Sequence, residues 1–464
     1  MKVKVGRTVG IVLVLASLCA LATFLYVQHI ARLPVDNTYI PNKTPIGPEI
    51  ALLRDYVRID TSNPPGLEMA GARFLMRYLQ DNGVTSELIE SAPGRANVYA
   101  RIRGKSDRNG LLLLHHIDVV PAKPEEWKYP PFLGKVWGNQ LWGRGTLDMK
   151  GIGICELVAF VRIARMHQMP EHDLVLLATS DEEEGSTFGM AWLVDHRPDI
   201  FQRIGYAVNE GGITETLGDK ITYVGVEVGS KLACRATLLS RDRVALEKAR
   251  IRLEPLQTPE DPERVLPEVA YFLTRIAPHR RQNTEYLVDV RKTIERGDFW
   301  RLHHAFRALT QNNVWVEKIR QVDDHFEASV ILENLFDQDP DGRFGQLRQL
   351  LPAGVELRVV SDQRPVPLTP WDTPFSRLLE RTMKTVYGPT VSVGPQLLQY
   401  SSNDSRFLRR LGIRAYGWWP FPVTLYQTGG IHGRDESIRL DWYMEGIQAT
   451  KLLVDDFCRN PGAP

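Results

Sequence analysis

Five short segments of the chain set a carboxylate or an imidazole beside a strand-like apolar run. They are His116-Ile117-Asp118, Asp148 in WGRGTLDMKG, SDEEEG at 180–185, Asn209-Glu210 in NEGG, and His432 in GGIHGRDE. His116 and Asp118 are two apart, so in an extended chain they point the same way and His115 points to the other face. A carboxylate beside an imidazole suits a metal ligand whose ring is held in one orientation. Imidazole and carboxylate without thiolate suit zinc, and the four cysteines, Cys19, Cys155, Cys234 and Cys458, form no CxxC pair. Two such ions about 3.5 to 4 Å apart lower the pKa of a shared water and polarise an amide carbonyl. A carboxylate that is not a ligand must then carry the proton to the leaving amine. The neighbours Glu182 and Glu183 can divide those tasks, one facing a metal and one facing the water.

Each piece alone has a plainer reading. An acidic run is ordinarily a solvated loop, and a histidine at a strand end is ordinarily a satisfied polar side chain. Asp148 stands where a helix cap would, and Arg406 in Asn403-Asp404-Ser405-Arg406 reads equally as a surface arginine. The recurrence of ligands where strands should end favours the metal site, because ligands in open α/β sheets gather there.

The elements that must position these residues are strands such as LLLLHHIDVV, whose four leucines imply burial on both faces, and DLVLLATS. They alternate with helical patterns, which predicts an α/β catalytic domain with a mainly parallel sheet over 49–228 and 361–464. Between them, 229–360 is richer in charge and helix formers and reads as an inserted domain. The segment 28–48 is proline-rich and reads as a tether. Val9–Val27 is uncharged over about 28 Å of helix, which suits an uncleaved signal anchor; a cleaved signal peptide is the alternative. The basic end at 1–8 then stays cytoplasmic and the rest lies on the extracytoplasmic side of the membrane. With Lys+Arg 57 against Asp+Glu 56, the net charge of +1 offers no field for nucleic acid.

The ordered motifs IDTSNPPGLE, HIDVVPA, WGRGTLDMKG, SDEEEG, NEGG and IHGRDE resemble those of the M20 family of metallopeptidases and aminoacylases, in its carboxypeptidase S-like or N-acyl-amino-acid hydrolase branch. The resemblance implies a site with two zinc ions. It assigns His116 to one ion, Asp118 to steadying that imidazole, and Asp148, before a cis peptide bond, to bridging both. Glu182 becomes the general base, Glu183 and His432 ligands of the second ion, and Glu210 the remaining ligand, although Asn209 stands where some relatives have a ligating Asp. Arg406 falls where relatives bind the substrate carboxylate.

The inserted stretch corresponds to the family's α+β lid or dimerisation domain, and there the pattern breaks. The Gly-His-Ser segment and the Asn-Val-Ile-Pro element with its Asp-x-Arg strand are absent; His279, His303, His304 and His325 are the histidines left to replace the missing one. Two functions follow as expectations. One is a membrane-anchored hydrolase for a dipeptide, a C-terminal residue or an N-acyl amino acid, paired as a homodimer through the lid. The other is a tethered binding protein that keeps the metals with little turnover.

Overall fold

Leu111 to Leu114 are fully buried and divide between two cores. Leu111 and Leu113 join the larger cluster with Phe160, Phe375 and Phe457, while Leu112 and Leu114 join a second with Met190, Leu193 and Leu408. Alternate side chains of one strand thus feed helices on both faces of a sheet, each buried leucine contributing about 1.5–3 kcal/mol. This is a computed structural model, and it describes residues 43–459 apart from 255, 257–263, 280–283 and 400. The expected anchor at 9–27, its basic flank and the tether up to 42 lie outside the described residues. Among those described, no helix is long and apolar enough to cross a membrane.

The main sheet has ten strands, in the order Ser86–Ala92, Arg95–Ile102, Leu174–Thr179, Gly110–His116, Ile204–Asn209, Arg414–Trp418, Lys220–Ser230, Thr214–Leu217 and Pro422–Thr424, with Val393–Leu398 also on Lys220–Ser230. Leu174–Thr179, Gly110–His116, Ile204–Asn209 and Arg414–Trp418 run parallel. Both flanks contain antiparallel pairs. The expectation of a mainly parallel sheet is therefore corrected to a mixed one. For two of these pairs the reason is local: Pro93-Gly94 and Gly218-Asp219 are two-residue links between strands, too short for a parallel crossover.

The stretch 229–360 divides its packing. Strands Leu232–Ser240, Asn313–Val316, Arg320–Val322, His325–Asn334 and Glu356–Ser361 form a separate antiparallel sheet. Leu238, Leu246, Val330 and Phe344 give it a core of its own with helices Arg243–Leu253 and Pro340–Leu350. Residues 265–309 return to the main core instead, through Val269, Phe272, Leu273, Ile276 and Phe299.

Candidate metal centre

Three adjacent parallel strands end side by side, at Thr179, His116 and Asn209, and release Glu182 and Glu183, His116 and Asp118, and Glu210 at one edge. Asp148 arrives from the loop before helix Lys150–Ala164, and its peptide bond to Met149 is cis. His432 arrives from the turn before strand Ser437–Arg439, which pairs with Gln140–Trp142 and so lays its turn against the Asp148 loop.

Asp148 lies between the two histidines. Its Oδ1 is 3.1 Å from His116 Nε2 and its Oδ2 is 3.1 Å from His432 Nε2. Glu210 flanks His116 at 3.9 Å, and Glu183 flanks His432 at 3.0 Å. Two groups that could hold an ion result: His116, Asp148 and Glu210, and Asp148, Glu183 and His432. Among the described residues, His116 and His432 are the only histidines in such groups. Asn209 instead donates to Ser405 Oγ at 3.2 Å, so the carboxylate at 210 and not the amide at 209 joins the cluster.

His116 Nδ1 donates to the main-chain carbonyl of Asp118 at 2.8 Å, leaving the Nε2 lone pair for a cation. The Asp118 carboxylate, 3.6 Å from the ring, is occupied elsewhere. It accepts from Asn63 Nδ2 at 2.9 Å and from the amides of Glu182 and Glu183 at 3.2 Å. Asp118 therefore steadies both the imidazole and the turn that carries the base.

The SDEEEG turn sorts its charges by environment. Asp181 is buried with φ 70°, a left-handed conformation that Asp tolerates. It accepts from Asn63 at 2.9 Å, Arg95 at 2.6 Å and the Phe188 amide at 3.0 Å. Glu182 and Glu183 are partly buried at the site, and Glu184 is exposed. The bland reading as a wholly solvated loop holds for Glu184 alone.

Arg406 is 6% exposed, not a surface arginine. It lies over the Phe407 ring, donates to the Gly185 carbonyl at 3.3 Å, and makes no ion pair with a described residue. His115 points away from the site as expected, toward Glu156 at 3.0 Å, and burial lowers its pKa to about 3.

The electrostatics ask for cations. Burial disfavours charge on His116, yet Asp118, Asp148 and Glu210 hold its pKa well above the usual value. Hydrogen bonds to Asp148 and Glu183 push His432 up to about 11. Burial, then the charge of Asp148, raises Glu210 to about 7, and burial with the neighbouring Glu210 raises Glu182 strongly. Glu183 Oε1 is buried without a hydrogen-bond partner. Crowded carboxylates around two imidazoles, with an orphaned buried oxygen among them, fit a pair of divalent ions.

Sequence reasoning passed over Glu436. It is fully buried and accepts from Arg144 at 2.8 Å and from the amides of Gly145, Leu147 and Asp148 at 2.9, 2.6 and 3.2 Å. One carboxylate thus holds the Asp148 loop; its signal in the sequence was its place at the end of IHGRDE, four residues after His432.

The profile of peptidase family M20/M25/M40 matches residues 112–456. The chain belongs to this family. M20 relatives by sequence include a probable succinyl-diaminopimelate desuccinylase of Staphylococcus aureus, 33% identical over 29% of this chain and 33% of that protein. Aminoacylase-1 of Sus scrofa is 34% identical over 38% of this chain and 44% of that protein. The chain thus spans less than half the length of these curated M20 relatives. An M20 metallo-carboxypeptidase from Sulfolobus solfataricus shares the fold, with a TM-score of 0.67 and 19% identity over 88% of this chain and 98% of that one.

Proposed function

We propose that this chain is a hydrolase with two zinc ions that cleaves an amide bond next to a free carboxylate, in a dipeptide, a C-terminal residue or an N-acyl amino acid, held to the membrane by residues 9–27. The observation that carries this reading is Asp148, with one carboxylate oxygen toward each imidazole and the non-ligand Glu182 beside the pair. The names of the M20 relatives, an aminoacylase and a desuccinylase, support amide chemistry. His116, Asp148 and Glu210 would hold one ion; Asp148, Glu183 and His432 would hold the other. When bound, the ions supply an electrophile for the amide carbonyl and acidify a water.

Glu182 takes the proton of that water and returns it to the leaving nitrogen. Burial, with the charge of Glu210 beside it, suits it to this, because a carboxyl whose pKa is raised takes up a proton more readily than an ordinary one. Asp118 keeps Glu182 in place through its backbone amide. Arg406 receives the substrate carboxylate: a buried guanidinium without an ionic partner gains by binding an anion bidentately.

The inserted stretch favours a second reading, a metal-retaining binding protein, since it lacks the Gly-His-Ser segment that the family resemblance implies there. Release of amino acid from a panel of dipeptides and N-acyl amino acids, with zinc, tests both readings. Turnover that Glu182→Ala abolishes supports the hydrolase. Two bound metals without turnover, or equal rates in both proteins, overturn it.

A further inference from the structure

Asn403-Asp404-Ser405-Arg406 reaches both of the strand-end turns that carry acidic ligands. Asn403 Nδ2 donates to the Glu210 carbonyl at 2.8 Å, and Asn209 donates to Ser405 Oγ at 3.2 Å. On the other side Arg406 donates to the Gly185 carbonyl at 3.3 Å. Asp404 lies between these contacts. Its Oδ1 accepts from Ser186 Oγ and its Oδ2 from Thr179 Oγ1 at 3.4 Å. Thr179 and Ser186 bracket the turn that presents Glu182 and Glu183.

Asp404 is 1% exposed and makes no ion pair with a described residue. A carboxylate in such a place is an expensive way to satisfy two hydroxyls, since an uncompensated buried charge is costly and a neutral acceptor would serve them. Burial works against its charge, and the charges of Arg406, two residues on, and His116 work for it. Asp404 is therefore in contact with the base turn on one side and under the influence of the anion-binding guanidinium on the other.

We propose that Asp404 is a positioning residue that sets the distance between the substrate carboxylate, bound at Arg406, and the Glu182 turn. The proposal rests on the reading of Arg406 given above. Through it the site selects a free carboxylate adjacent to the scissile amide: an anion at Arg406 is registered, by way of Gly185 and Asp404, on the turn carrying the base. A substrate capped as a carboxamide binds without that registration.

The test compares wild type, Asp404→Asn, Arg406→Met and the double variant on Ala-Leu and N-acetyl-leucine, each beside its C-terminal carboxamide. Metal content is measured on the same zinc-loaded samples. Wild type is expected to prefer the carboxylates. Asp404→Asn should keep both metals and reduce that preference about tenfold, chiefly in kcat, with no further loss in the double variant beyond Arg406→Met. Hydrogen exchange supplies a readout without turnover: free leucine should protect the amides of 182–188 in wild type and not in Asp404→Asn. An equal loss on carboxylates and carboxamides, additivity with Arg406→Met, or leucine protection that survives Asp404→Asn overturns the proposal. If wild type ignores the carboxylate and Arg406→Met changes nothing, the Arg406 reading itself fails and this inference with it. Should Asp404→Asn not fold, Ser186→Ala removes one of its two donors and is read in the same way. If no probe is hydrolysed, the exchange result decides alone.

Discussion

The metal-bearing part of the molecule and the lid use the same kinds of element but employ polar residues differently. Around the metal centre, buried charges are linked to one another and to ligand loops. Glu68, Arg95, Asp181, Asn63 and Asp118 form one chain of contacts, and Arg144 with Glu436 another. In the lid, pairs such as Arg241 with Asp324 and Glu356 with Arg358 are exposed. Exposed pairs contribute little and tolerate replacement. The inserted sheet rests on its apolar core and on a few buried contacts without ion pairs, such as Asn313 to Glu333 at 3.0 Å, whereas a metal centre is weakened when one buried charged partner is lost.

The largest effect expected is at Glu182. Glu182→Gln should lower kcat by about 10² to 10⁴ while leaving two metals bound, because the side chain is in neither ligand group. Steady-state kinetics with metal analysis on one preparation checks this. Loss of a metal would make Glu182 a ligand and dissolve the division of labour in the SDEEEG turn.

Next is Glu436→Gln, which touches no ligand atom. It strands the Arg144 charge and weakens the contacts to three amides of the Asp148 loop. Breaking a buried pair costs about 3–5 kcal/mol, and loss of a ligand's support lowers metal affinity about 10- to 100-fold. Thermal melts and zinc titration should register both; unchanged values would show that the loop holds Asp148 unaided.

A smaller effect separates the metal-free from the loaded protein by pH. Raised pKa values mean that Glu210 and His432 bind protons more tightly folded than unfolded. Their contribution is complete below the ordinary values 4.5 and 6.5 and is lost as pH rises through about 7 and about 11. Cations bind the deprotonated ligands, so the stabilisation from zinc must grow over the same range. Melting curves from about pH 5 to 9 should show this site contribution falling without zinc and the zinc-induced rise in Tm increasing. Parallel curves would mean the imidazoles are not metal ligands.

The structure brings together His116, Asp148, Glu183, Glu210 and His432, which the resemblance to the family's short motifs picks out; His116, Asp148, Glu183 and Glu210 lie where strands end or a helix begins, and His432 lies in a turn before a strand. The roles of Asn63 and Glu436 were not legible, since their partners are as far as 118 and 292 residues away, although both residues lie inside the quoted motifs IDTSNPPGLE and IHGRDE. The fate of 265–309 was illegible for another reason. Val269, Phe272, Leu273 and Ile276 give an apolar stripe at helical spacing, and such a stripe is the same whichever core receives it. Only its packing against strand Val393–Leu398 assigns it to the main sheet, where Tyr271 also donates to the Val393 carbonyl at 3.4 Å.

The smallest effect is expected at the histidines of 229–360, one in the separate sheet and three in the 265–309 stretch that packs on the main core. His325 is bound to Glu327 at 2.9 Å, and His303 accepts from the Ala305 amide as a helix cap. Replacing His279, His303, His304 and His325 by alanine one at a time should each leave kcat/KM within about twofold, the range of substitutions away from a site. A donor aimed at the developing oxyanion would instead cost about 10² to 10³. A loss of that size at any of the four would show that 229–360 closes a histidine onto the substrate in a conformation other than this one. Silence at all four would leave charge stabilisation to the metal-bearing part of the molecule, where the buried network already lies.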